Sequence, residues 1–223
     1  MKYPLIHSTW NKDEFIAINK VVKTGMFTMG KNVSEFEKKF AKYQGKKYGV
    51  MVNSGSSANL VSIASLFYKK KNPLKRGDEV IVPAVSWSTT YAPLQQLGLK
   101  IKLVDIELDT FNVDFEKLKK AVSKKTKLIV AVSLLGIPAE LQKMKKLCKE
   151  KNILFFEDNC ESLGAEINKK KTGSFGDLAS HSFFFSHHIC TMEGGMVVTD
   201  DFELYCLMKV LRAHGWSRDL PKK

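Results

Sequence analysis

Arginine is nearly absent. Arg76, Arg212 and Arg218 are the only three in 223 residues, so almost all of the 36 basic residues are lysines. The formal net charge of +13 raises nucleic acid as a partner. Recognition of phosphates and base edges leans on the guanidinium fork, however. The lysines are also scattered, with Lys69-Lys70-Lys71 and Lys169-Lys170-Lys171 as the longest runs. The charge is therefore read as a solvated surface, secondarily as an attraction for an anionic small substrate, and no nucleic-acid partner is expected. Long apolar runs are missing as well: none approaches the roughly 20 residues that cross a bilayer. Met1-Lys2-Tyr3-Pro4 lacks the apolar segment of a signal peptide. A cytoplasmic protein without a membrane partner is the expectation. Cysteine is sparse. Cys148, Cys160, Cys190 and Cys206 form no C-x-x-C and no Cys/His ligand spacing, so no metal is expected and free thiols are. Repeats, low-complexity tracts and linkers are absent too.

What is present suits one domain with a sizeable core: 44% of the residues are apolar. Phe15, Ile18 and Val22, stopped by Gly25, predict a helix, and Val33, Phe36, Phe40 and Tyr43, closed by Gly45, predict a second. Short apolar runs then alternate with helical stripes. Strands are predicted at 48–52, 79–82, 100–104, 128–133, 153–156, 179–185 and 195–199. Helices are predicted at 58–68 and 89–97, along Leu141, Met144, Leu147 and Cys148, and along Leu204, Leu207, Met208 and Leu211. Continuous apolar strands between helices specify an α/β fold, three layers (αβα) around a mainly parallel sheet. Ligands in such sheets bind beyond the carboxyl ends of the strands.

Asn53-Ser54-Gly55-Ser56-Ser57-Ala58 follows the first strand. A small-residue loop opening a helix offers amides and a positive dipole end to a phosphate; a plain turn with an N-cap explains it equally. Trp87 is either a core residue or a plate for a flat ligand. Asp158, in Glu157-Asp158-Asn159-Cys160-Glu161, ends a buried strand and needs a partner. That partner is a salt bridge, a cap or a cationic ligand atom. Ser182-Phe183-Phe184-Phe185-Ser186-His187-His188 places adjacent histidines after an aromatic strand. On a strand these two would face opposite ways and share no metal, leaving one as an acid/base group. A phosphate cup, an aromatic plate, a carboxylate and an acid/base residue at successive strand ends together fit pyridoxal phosphate.

With Thr28-Met29-Gly30, the segment 53–58, Glu157-Asp158 and the stretch from Ser182-Phe183 to Glu193-Gly194-Gly195, nearly the whole chain resembles the DegT/StrS sugar aminotransferases. These are fold-type-I pyridoxal phosphate enzymes. The family pattern has its Schiff-base lysine five residues after the Ser and six before the Glu. Both counts arrive at His187. The chain is similar in this to the histidine subgroup, the nucleotide-sugar 3-dehydratases, also in Ser-His-His, Met-Glu-Gly-Gly and Arg-Ala-His-Gly-Trp. The resemblance implies pyridoxal 5'-phosphate and its pyridoxamine form, held without a covalent bond, and L-glutamate as co-substrate. It implies His187 as the proton-transfer residue. Gly55, Ser56, Ser57 and Ser182 would lie around the phosphate, Trp87 on the ring, Asp158 at the ring nitrogen and Glu161 near the ring oxygen. Ser186 and His214 would lie on the substrate side. The implied substrate is a nucleotide-linked, GDP-linked, 4-keto-6-deoxy sugar losing its C3 hydroxyl, for colitose-type dideoxysugars of surface polysaccharide. The implied assembly is a homodimer with shared active sites. The family pattern continues past Lys223 into a smaller C-terminal domain. Residues 1–223 are thus expected to be the N-terminal segment and large domain, inactive alone. A sugar-nucleotide aminotransferase and an inert truncated homologue are the alternatives.

Overall fold

The computed structural model describes residues 8–218 and 220; Met1-Lys2-Tyr3-Pro4 and the closing Pro221-Lys222-Lys223 lie outside them. Two helices come first, α1 (Lys12–Thr24) and α2 (Lys31–Tyr43). Asn11 and Glu14 close a capping box at the start of α1, and Gly25 ends it in the left-handed conformation, φ 66°. The predicted stripe of α1 is there, but none of its residues is buried.

The alternation then follows the expected order, with a helix α5 and a small β6–β7 hairpin added to it: β1 (Tyr48–Val52), α3 (Gly55–Leu66), β2 (Glu79–Pro83), α4 (Ser88–Gln96), β3 (Lys100–Val104), α5 (Phe115–Ala121), β4 (Thr126–Val132), α6 (Leu141–Lys151), β5 (Leu154–Asp158), β6 (Glu166–Ile167), β7 (Lys170–Lys171), β8 (Leu178–Ser182), β9 (Gly195–Thr199) and α7 (Phe202–Arg212). The seven-stranded sheet runs β1-β9-β8-β5-β4-β2-β3. The neighbours from β8 across to β3 are parallel. β9 runs antiparallel to both β1 and β8.

Side chains alternate across the sheet, and the two faces bury different helices. On one face Val80, Val82, Leu128, Val130, Phe156 and Leu178 pack with α3, α4 and α7 through Ala58, Ile63, Leu66, Leu94, Leu204 and Met208. On the other, Ile81, Ile129, Ala131 and Phe155 meet α5 and α6 through Leu118, Leu141, Met144 and Leu147. Ala179, Met196 and Val198 meet Phe40 of α2 on that side. These are the three expected layers.

The last-but-one strand is shorter than expected. β8 ends at Ser182, paired with Gly195, rather than at Phe185. Phe183 accepts from the Thr191 amide and donates to the Gly194 carbonyl, both at 2.9 Å, which closes the neck of a loop. Phe184, Phe185 and both histidines sit in that loop, so strand alternation does not orient the histidines.

The free edge of β1 is held by side chains. Glu37 of α2 accepts from the Met51 amide at 2.9 Å, and Arg212 of α7 donates to the Met51 carbonyl at 2.7 Å. Arg212 and Glu37 pair with each other as well.

Candidate active site at the strand ends

β1 delivers the chain into the N-terminus of α3. Ser54 caps that helix by accepting from the Ser57 amide at 3.1 Å, and its carbonyl takes the Ala58 amide. Among the described residues no protein acceptor takes the amides of Gly55 and Ser56. They open the helix at its positive end, as an anion cup requires. Gly55 cannot be another residue, because its Cβ would lie 2.6 Å from Ser182 Cβ and 2.9 Å from Cys160 Sγ. Gly195 is constrained likewise by the Ser54 carbonyl. The cup, the end of β8 and the start of β9 thus meet backbone to backbone. Ser182 is buried beside the cup, Ser57 is half-buried and Ser56 exposed.

Four residues past Gly55, about 6 Å along the helix, Asn59 donates to Asp158 Oδ2 at 2.9 Å. Thr90, in the first turn of α4, donates to the same oxygen at 2.8 Å. Asp158 is buried, and among the described residues no Lys, Arg or His forms a salt bridge with it. The salt-bridge reading of this carboxylate is therefore set aside. A buried carboxylate satisfied by neutral donors alone suits a cationic ligand atom. Together with the open amides of the cup, one helical turn away, this donor set fits a pyridoxal phosphate ring nitrogen at one end and its phosphate at the other.

Trp87 is the N-cap residue of α4 and is 68% exposed, so it is not core. With Val85, Ser86, Phe111, Leu134, Leu135 and Glu161 it lines a hollow of ≈ 260 Å³. Glu161 accepts from the Leu135 amide at 2.9 Å, and Leu135 stands at φ 53°, an uncommon conformation for a bulky residue.

The two histidines differ. His187 is half-buried and His188 exposed. Burial pushes the His187 imidazole below its ordinary value, and the neighbouring His188 adds to this; Glu161 and Asp158 pull the other way. The net shift is downward, toward the neutral imidazole whose lone pair can accept a proton. The His187 ring packs edge-on against Phe184, with ring centroids 6.4 Å apart. The Trp10 indole fastens this loop by donating to the Cys190 carbonyl at 3.2 Å. Burial, with Asp158 beside it, raises the Cys160 thiol well above the ordinary value, so Cys160 is no nucleophile here. Ser186 is exposed in the loop. His214 packs edge-on against Trp216 after α7 and makes no hydrogen bond or ring contact with the groups around Asp158 among the described residues.

Asn59, Thr90 and Ser180 were not foreseen from the sequence. The signal for Asn59 was its spacing from Gly55, which puts both on one helical face, and Thr90 lies three residues after Trp87. A larger concavity of ≈ 960 Å³ opens at the other end of the sheet, among Lys46, Lys127, Lys145 and Lys149, and contains none of the constellation. Among the described residues no group of three or more His, Cys, Asp or Glu could hold a metal ion, and no helix is long and apolar enough to cross a membrane.

The sequence model of the DegT/DnrJ/EryC1/StrS aminotransferase family matches residues 9–223. GDP-4-keto-6-deoxy-D-mannose 3-dehydratase of Yersinia pseudotuberculosis is 55% identical over 222 residues, covering 100% of this chain and 56% of the relative. GDP-perosamine synthase of Caulobacter vibrioides is 35% identical over 192 residues, covering 86% and 50%. A crystal structure of GDP-4-keto-6-deoxymannose-3-dehydratase with a trapped PLP-glutamate geminal diamine superposes with a TM-score of 0.96 at 55% identity, covering 100% of this chain and 57% of that one. A mutant of the same enzyme with bound GDP-perosamine gives the same values. The chain thus spans a little over half the length of these dehydratase relatives.

Proposed function

The chain belongs to the DegT/DnrJ/EryC1/StrS aminotransferase family, and on that premise we propose that it is the large domain of a pyridoxal phosphate-dependent sugar 3-dehydratase. The substrate in this reading is GDP-4-keto-6-deoxy-D-mannose, L-glutamate is the amino donor, and the product feeds 3,6-dideoxysugar and surface-polysaccharide synthesis. The observation that carries it is His187, a half-buried imidazole in the position where the family pattern has lysine.

When bound, the cofactor supplies an electron sink and, in its pyridoxamine form, an amine for the sugar ketone. The remaining work falls to side chains of this chain. Gly55, Ser56, Ser57 and Ser182 hold the phosphate with amides and hydroxyls. Asp158 holds the ring nitrogen, and Trp87 covers the ring face. Glu161 sits by the ring oxygen. His187 moves the proton at the cofactor's C4′ carbon, and imidazole can do so near neutral pH without binding the cofactor covalently. Ser186 and His214 belong to the substrate side in this reading. The exposed Trp87 and Leu135, which line one hollow, support a homodimer in which a second copy completes the site. A cytoplasmic location accords with a nucleotide-sugar substrate.

Mass spectrometry of a reaction containing the full-length gene product that carries this domain, pyridoxal phosphate, glutamate and GDP-4-keto-6-deoxy-D-mannose tests the reading. A GDP-linked 4-keto-3,6-dideoxy sugar with release of ammonia is expected. A 4-amino sugar as the sole product overturns it in favour of an aminotransferase. Borohydride gives an independent check: the reduced cofactor should wash off rather than remain on the protein.

A further inference from the structure

The hydrogen bonds around Asp158 have determined directions. Ser180 Oγ lies 2.6 Å from Asn59 Oδ1 and only donates there, because a side-chain carbonyl accepts. This fixes the Asn59 amide so that its Nδ2 faces Asp158 Oδ2 at 2.9 Å, with the Thr89 carbonyl as its second acceptor at 3.1 Å. Thr90 has one hydroxyl proton and gives it to Asp158 Oδ2 at 2.8 Å. Ser86 Oγ, 2.8 Å from Thr90 Oγ1, must then be the donor of that pair. Two relays, Ser180 to Asn59 and Ser86 to Thr90, therefore converge on one carboxylate oxygen. The other oxygen is weakly supported, by the Cys160 amide at 3.3 Å; Ser180 Oγ lies 3.5 Å from it, but its one proton goes to Asn59.

A buried carboxylate facing a pyridine nitrogen can share a proton in two ways. The proton sits on nitrogen, as an ion pair, or on oxygen, as a neutral pair. Loss of water favours the neutral pair. Hydrogen bonds donated to a carboxylate favour its charged form and so the ion pair. We propose that Asn59 and Thr90 are positioning residues that keep Asp158 ionised and thereby keep the proton on the cofactor's ring nitrogen. The inference rests on the reading that this site holds pyridoxal phosphate. No bond other than that to the shared proton changes: it leaves an Asp158 oxygen and binds the ring nitrogen. The protonated ring withdraws electrons more strongly, so the two neutral side chains set the strength of the electron sink.

Pyridoxal phosphate carrying ¹⁵N in the ring, bound to the protein, reports the proton directly through its nitrogen chemical shift. The parent is expected to show a protonated nitrogen at neutral pH. Thr90→Val and Asn59→Leu should each move the resonance toward the unprotonated position, with the double variant moving furthest. Each should weaken cofactor binding about ten-fold or more, the scale of a hydrogen bond to a charged group. Thr90→Ser restores a hydroxyl and should keep the parent resonance, a rescue that a purely structural role for Thr90 does not predict. Ser86→Ala leaves both direct donors in place and should move the resonance less, in the same direction. Parent resonances in both Thr90→Val and Asn59→Leu overturn the inference while leaving the cofactor assignment intact. A parent protein that takes up no pyridoxal phosphate removes both.

Discussion

Glu157 and Asp158 are consecutive, both buried, and point to opposite faces of β5. Glu157 faces the α2 side and accepts from the backbone amides of Gly173, Phe175 and Gly176. Both of its oxygens are engaged, and Lys46 adds a positive charge nearby. Asp158 faces the α3 side, where two neutral side chains reach one oxygen and, among the described residues, no cation pairs with it. The first carboxylate is completed by three amides and organises a loop; the second, in the proposed reading, meets a cationic ligand atom. Burial and strand position are the same for both, so neither marks function. What differs is whether the protein itself finishes the coordination. The same division extends along β8, where Ser180 and Ser182 share the Asp158 face and His181 the Glu157 face.

The sharpest test of this division is His187. His187→Asn should lower dehydration by at least about 10²–10⁴-fold and leave the melting temperature unchanged, because the loop lies outside the core. His188→Asn should leave both unchanged. The reverse pattern in paired rate and melting measurements assigns proton transfer to the wrong histidine. On the opposite face, Glu157→Ala should cost stability rather than chemistry. Three buried amides lose their acceptor, for a loss of about 3 kcal/mol or more in urea unfolding. A stable Glu157→Ala protein with weakened cofactor binding would break the comparison. Asp158→Asn should do the opposite: keep the fold and weaken pyridoxal phosphate binding by roughly 1.5–3 kcal/mol in a fluorescence titration.

The smallest expected effect at neutral pH concerns His181. Burial pushes its imidazole down to about 3, whereas the unfolded chain titrates near 6.5. Its stabilising contribution is thus fully present above pH 6.5. Between 6.5 and 3 only the unfolded state takes up the proton, so stability falls by up to about 1.4 kcal/mol per pH unit. His181→Phe should flatten the acid side of a stability–pH curve by that slope. An unchanged slope would mean that His181 is protonated in the folded state.

Strands were legible where both faces are buried. The bounds of β3 and β9 match the apolar runs at 100–104 and 195–199, whereas β8 stops at Ser182 although the apolar Phe183 to Phe185 follow it directly, because the chain turns into a loop closed by Phe183 and Thr191. The antiparallel direction of β9 leaves no trace in a five-residue apolar run. The β6–β7 hairpin, two residues a side, is too short for any periodicity, and α5 offers only seven residues. In the site, Gly55, Asp158 and Ser182 stand at strand or helix ends, where position alone signals chemistry. Asn59 and Thr90 lie within helices, where a polar residue normally faces water. Their burial against Asp158 depends on α3 and α4 lying side by side over the same face, which is tertiary information.

The clasp on Met51 bears on how sheets meet other sheets. An edge strand with free amides and carbonyls is a template for another chain's strand. At the middle of β1 the positions a newcomer would use are already taken, the amide by Glu37 and the carbonyl by Arg212. The opposite border, β3, presents Lys100 and Lys102 among its five residues, charges of the kind that deter strand addition. Growth of this sheet by templating is thereby blocked on one side by a salt-bridged plug and discouraged on the other by ammonium groups. Strand addition at Met51 requires this clasp to open, and loss of Arg212 would free the Met51 carbonyl while Glu37 still holds the amide.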